Sequence, residues 1–152
     1  MYRLGVASDS HGRTSALKSA AERLSDVDAV VHLGDCETDA IFFKAANRPL
    51  YTVSGNCDCF ARESPSEIVI DIDGVKLLMC HGHSYCVKYS LTRLSLRARE
   101  AGCALVLYGH THIPSVDTDG GIVFVNPGAL MDGRFCVIEF RENGPVPVMY
   151  EL

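Results

Sequence analysis

Short apolar runs recur along the chain: YRLGVA, AVVHL, LYTV, EIVIDI, VKLLMC, ALVLY, IVFV and FCVIEF. Each is rich in Val, Ile or Leu, has strand length and is bounded by Gly, Asp or Asn, the pattern of buried strands between turns. Between the early runs the period changes to that of a helix. Residues 14–24 open on Thr14 as an N-cap and set Leu17, Ala20, Ala21 and Leu24 on one face. A second helix is predicted over 37–47. A third is predicted over 87–101, with Leu91, Leu94 and Ala98 inward, Arg93 and Arg97 outward, and Gly102 ending it. The first half is therefore βαβαβ, which favours a parallel sheet. The second half is strand-rich, and IDIDGVKLL and VDTDGGIVF read as hairpins through Asp-Gly and Gly-Gly turns. Without a linker, repeat or low-complexity stretch, residues 1–152 read as one mixed α/β domain with two sheets.

The polar residues gather where the strands end. RLGVAS runs into Asp9 and His11, AVVHLG into Asp35, and LYTVSG into Asn56; VKLLMC ends at His81, and ALVLYG at His110 and His112. Ligands of open α/β sheets bind in the crevice beyond the carboxyl ends of the strands. An H-x-H pair on an extended segment would point both rings to one side. The set holds two carboxylates, four imidazoles and a carboxamide, a mixture that suits Mn, Fe, Zn or Ni better than Ca or Mg. Seven ligands exceed one tetrahedral ion. Two ions about 3.5–4 Å apart, sharing a carboxylate, would use them all.

Composition narrows the classes. A 47% hydrophobic, 22% charged chain of 152 residues is globular, and its net charge of −5 argues against a nucleic-acid surface. No apolar run approaches the ~20 residues of a membrane span. The N-terminus turns polar too early for a signal peptide, so a cytoplasmic setting is expected. Seven scattered cysteines contain neither C-x-x-C nor C-x5-R, which excludes a cysteine phosphatase and favours reduced packing residues.

The order D-x-H, G-D, G-N-x-D, H-G, G-H-x-H, from Asp9 to the NPGA at 126–129, resembles the calcineurin-like metallophosphoesterases. GNCD, HGH and GHTH are closest to the family's small single-domain phosphodiesterase branch. The resemblance implies an α/β fold in which two mixed β-sheets pack as a sandwich flanked by helices. It also implies that Asp9, His11 and His112 bind one divalent transition metal, with manganese the first choice over Ni, Fe or Zn. Asn56, His81 and His110 would bind a second, and Asp35 would bridge them. A hydroxide between the ions would attack phosphorus in line, and the single positive charge left over would draw in a phosphodiester monoanion.

Many relatives carry a histidine after that asparagine, paired with the next aspartate, to protonate the leaving oxygen. Here Cys57 stands in its place, although Asp58 is kept. The expected donor is then His83 or water, which favours leaving groups of low pKa. His32, inside an apolar run, reads as a buried, hydrogen-bonded residue. Lys88, Arg93, Arg97 and Arg99 read as a solvated helix face, Cys59 as incidental, and Asn126 as a residue lining the cleft. The expected partner is a small phosphate ester, and self-association is left open. The alternative is a non-catalytic scaffold on the same fold, as in the retromer subunit; loss of ligands would mark it, and all seven are present.

Overall fold

A computed structural model describes residues 1–58 and 63–152, so Cys59 lies outside the described residues. Strand β1 (Tyr2–Ala7) pairs in parallel with β2 (Ala29–His32), and β2 in parallel with β3 (Leu50–Thr52). On the other side of β1 lie β9 (Arg134–Arg141) and then β10 (Gly144–Glu151), both antiparallel, giving the order β10-β9-β1-β2-β3. The second sheet has the order β4-β5-β6-β8-β7. It is built from β4 (Glu67–Ile72), β5 (Val75–Cys80), β6 (Leu105–Leu107), β7 (Ser115–Asp119) and β8 (Ile122–Asn126). Both expected hairpins form. In the first, Asp73 and Gly74 have φ of 49° and 79°; in the second, Gly120 and Gly121 have 56° and 82°. Paired positive φ values are the tight turns that match strand twist.

Alternation along the strands produces four layers. Leu4, Val6, Leu77, Met79, Leu105 and Ile138 face one another between the sheets. The intervening residues face outward: Val30, Phe135 and Val137 lie under helix α1 (Thr14–Arg23), and Leu78, Val106 and Phe124 under helix α2 (Thr92–Ala101). Side chains of successive strand residues point to opposite faces, so each inner strand serves the sandwich core and a helix at once. This is the α/β sandwich flanked by helices.

The helix boundaries depart from expectation. Arg13, not Thr14, is the residue before α1, and the Thr14 hydroxyl turns back to the Gly12 carbonyl at 3.5 Å. The second helix is a 3-10 turn, Glu37–Phe43, that enters through a left-handed Cys36 and leaves through an extended Lys44. Arg48 ends it by donating to the Phe43 and Leu24 carbonyls, each at 2.6 Å. Helix α2 begins five residues late, after a left-handed Cys86 (φ 55°) and a turn over residues 86–89. Gly102 (φ 70°) does end it. Arg97 is half-buried and donates to Glu67 at 3.1 Å rather than pointing into solvent. Strand β10 was hidden by its prolines. Pro145 and Pro147 pair in register with Phe140 and Ile138 at the sheet edge, the position where a residue without N–H is tolerated.

Candidate metal centre

Five loops leave the carboxyl ends of β1, β2, β3, β5 and β6 on one side of the sandwich and bring the seven expected ligands together. Asp9, His11, Asp35 and His112 form one group, and Asp35, His81 and His110 a second; within each, one ligand atom per residue lies within 4.8 Å of the others. Asp35 belongs to both. Asn56 joins the second group through its Oδ1, 3.0 Å from His81 Nε2.

The carboxylates are aimed chiefly by neighbouring loops. Asp9 is fully buried, and its Oδ2 accepts from the Ser8 hydroxyl at 2.6 Å and the His110 N–H at 3.0 Å. That leaves Oδ1 facing His112 Nε2 at 3.1 Å, His81 Nε2 at 3.8 Å and His11 Nε2 at 3.9 Å. Asp35 repeats the division: Oδ1 accepts from the Cys57 N–H at 2.9 Å, while Oδ2 faces His81 at 3.4 Å and His11 at 3.7 Å. His81 Nδ1 lies 2.8 Å from the Leu33 carbonyl and donates to it, so the free lone pair of its imidazole falls on Nε2, toward the carboxylates. Free carboxylate oxygens and imidazole nitrogens converging on one space are the donor set of a divalent transition metal, so the residues fit that group.

The backbone bends hard to achieve this. Asp9, His11, Asp35, His110 and His112 are five of the nine non-glycine residues with positive φ among the described residues. Each such turn costs on the order of 1 kcal/mol. The GHTH segment is therefore not extended. Its two left-handed histidines diverge, so that the His112 ring lies 5.4 Å from His11 and the His110 ring 5.0 Å from His81. Glycine is required where loops touch: a β-carbon at Gly109 would stand 2.7 Å from Asp9 Oδ2, and one at Gly55 would stand 2.6 Å from the Asp35 N.

Burial disfavours charge on His81, yet the hydrogen bond to Asp35 and the charges of Asp9 and Asp35 raise its pKa above the usual value. Burial would also raise Asp35, but His81 and the Cys57 N–H hold its carboxyl well below the usual range. His110 moves the other way, down to about 4, through burial and the neighbouring His81 and Lys88 charges.

The residues expected to move the proton are placed differently. Asp58 is buried, and its carboxylate accepts from the backbone N–H groups of Asp35, Glu37 and Gly55 at 2.7–2.9 Å. It clamps two ligand loops. Cys57 is exposed, and its sulfur accepts from Asn56 Nδ2 at 3.6 Å. Partial burial and the Asp35 charge push its thiol up. The His83 ring lies 5.4 Å from His81 and 6.1 Å from His110, at the rim of the second group. Its Nδ1 is buried without a hydrogen-bond partner.

Asn126 corrects an expectation. It is fully buried behind the cleft, donates to the Gly109 carbonyl and Thr111 Oγ1 at 3.0 Å each, and accepts from the Gly128 N–H, so it braces the loop of His110 and His112. Ser8, Ser10 and Asp39 were not foreseen. Ser10 Oγ lies 2.9 Å from His32 Nε2 and donates to Asp39 Oδ2 at 2.8 Å, and Asp39 also accepts the Gly12 N–H. The signal was the polar triplet SDS at the end of an apolar strand.

Comparison with known proteins gives a consistent result. The family model described as the calcineurin-like phosphoesterase superfamily domain matches residues 2–140. A probable metallophosphoesterase of Bacillus subtilis is 34% identical over 126 residues, covering 82% of this chain and 73% of its own. A phosphodiesterase of Methanocaldococcus jannaschii is 26% identical over 143 residues, covering 83% and 82%. Among solved structures, a predicted phosphoesterase from Streptococcus pneumoniae superposes with a TM-score of 0.79 at 26% identity, over 99% and 98% of the two chains. A Vps29 mutant from Entamoeba histolytica superposes with a TM-score of 0.78 at 18% identity, over 99% of each, a likeness of fold alone.

Proposed function

The chain belongs to the calcineurin-like phosphoesterase superfamily, and on that premise we propose that it hydrolyses phosphodiesters at a centre of two divalent metal ions. The observation that carries this reading is the division of labour in Asp9 and Asp35. Each carboxylate fixes one oxygen against the backbone N–H of a neighbouring loop and turns the other to the histidines, and Asp35 stands in both ligand groups. Asp9, His11 and His112 would hold one ion, Asn56, His81 and His110 the other, and Asp35 both. Manganese is the first choice, with Ni, Fe and Zn suited to the same donors. Bound there, two such ions supply positive charge for the phosphoryl oxygens and acidify the water that attacks phosphorus.

The chain's own residues do the rest. The Leu33 carbonyl orients His81, Asp58 holds the loops of Asp35 and Asn56 together, and Asn126 holds that of His110 and His112. The Asp58 carboxylate is occupied by backbone, so Cys57 has no acid–base partner in it. His83, beside the His81 and His110 rings, is the side chain placed to hand a proton to the leaving oxygen, with water as the other source. The small phosphodiesterase branch supports the diester, and the M. jannaschii relative is itself a phosphodiesterase. The scaffold alternative draws on the likeness in fold to Vps29; the full donor set speaks for the enzyme.

Metal analysis of purified protein, followed by monoester and diester assays with Mn, Ni and Zn, tests the reading. We expect about two ions per chain, preference for aryl diesters, and an Asp35→Asn variant that loses metal and activity together. Full activity in that variant would remove the bridging assignment. No bound metal and no turnover under any condition would favour the scaffold.

A further inference from the structure

Beside the second ligand group runs a groove of about 470 Å³, lined by Val87, Lys88, Tyr108, Thr111, Ile113 and Ser115. That is within the usual size of a small-molecule site. Its floor is tied to the centre. Gly82, next to His81, has no side chain, and a β-carbon there would stand 2.9 Å from Val87 and 3.6 Å from Tyr108. Tyr108 leads through Gly109 to His110, and its hydroxyl lies 3.2 Å from Ser115 Oγ. Ile113, one residue after His112, is 66% exposed and gives the groove an apolar wall.

Lys88 is the cationic residue that lines the groove. Arg97 and Arg99 of α2 are paired with Glu67 and Asp119, and Arg93 turns to Cys86 Sγ at 3.4 Å. Lys88 is exposed and has no carboxylate partner among the described residues. A flexible ammonium over an apolar floor, beside the loops that carry His81 and His110, matches an arm that is flat and apolar and ends in an anion.

We propose that this groove takes one ester arm of the phosphodiester, and that Lys88 reads a second negative charge carried on that arm. The proposal rests on the phosphodiesterase reading and narrows its substrate class to dianionic diesters with one aryl- or nucleoside-sized arm. A carboxylate on the arm is the feature recognised.

Two synthetic diesters with the same leaving group test it: p-nitrophenyl phenyl phosphate and p-nitrophenyl 4-carboxyphenyl phosphate, assayed with the metal-loaded enzyme. The carboxylated diester is expected to show about a five-fold lower KM, the scale of a partly exposed ion pair. Lys88→Ala should bring the ratio of the two KM values to about one, while Lys76→Ala, at the far end of β5, leaves it unchanged. Ile113→Ser should raise KM for both diesters by removing the apolar wall. If both diesters turn over with equal KM in the parent enzyme, or the ratio survives Lys88→Ala, the groove is not the arm site and the phosphodiesterase reading stands. If neither diester turns over with Mn, Ni or Zn, the phosphodiesterase reading falls and the groove assignment falls with it.

Discussion

His32 and His81 are both buried histidines at the carboxyl ends of inner strands, yet they titrate in opposite directions. His32 sits among neutral partners. Gly34 donates to its Nδ1 at 3.2 Å, so its Nε2–H donates to Ser10, which donates onward to Asp39. Burial then dominates and pushes its pKa down to about 4. His81 meets the free oxygens of Asp9 and Asp35, and their charge outweighs the same burial. Depth alone therefore does not decide what a histidine does. One ring ties β2 to the loops beside it, and the other faces the two carboxylates of the candidate metal centre.

Exchanging each ring separates the two roles. His81→Gln should lower kcat/KM by on the order of 10³ through loss of metal, measured as turnover and bound ion, with little change in the melting temperature of metal-free protein. His32→Gln should do the reverse, keeping metal content and losing stability. The sign of its pH dependence follows from the depressed pKa. The folded chain favours the neutral ring, so its full stability is present above the unfolded value near 6.5 and is lost as pH falls toward 4. Over that window the loss is about 3 kcal/mol, and denaturant titrations of the metal-free parent should show it while His32→Gln flattens the slope. Gly109→Ala tests whether the loops around His81 need their close contact. Its β-carbon would press on Ser8 and Asp9, with an expected 10–100-fold loss of metal affinity by calorimetry. The smallest effect belongs to Cys57→Ala, where turnover of an aryl diester should change less than about two-fold. A collapse with metal content unchanged would return the proton to the thiol.

The sequence made the two histidines distinguishable only in part. The expectation of a buried, hydrogen-bonded His32 is met, but His32 ends β2 just as His81 follows β5, and both are buried. The strand ends were legible because strand runs are short and their termini fall on Asp, Asn and His. What did not show was backbone conformation. Left-handed φ at His110 and His112 splits the GHTH pair between groups, and no local pattern announces it. The clamp by Asp58 was also hidden, since its three N–H donors sit on two separate loops. Asn126 read as a cleft residue because the sequence cannot tell which side of a loop a carboxamide supports.

Strand β10 has one more consequence. A β-sheet with a free edge resembles the growing end of a polymer, able to add any strand that offers complementary amides. Pro145 and Pro147 lie two apart, so both present their ring nitrogens to the outer side. They act there as chain terminators. The stretch that remains competent for addition is confined to residues 149–151, too short to propagate a sheet.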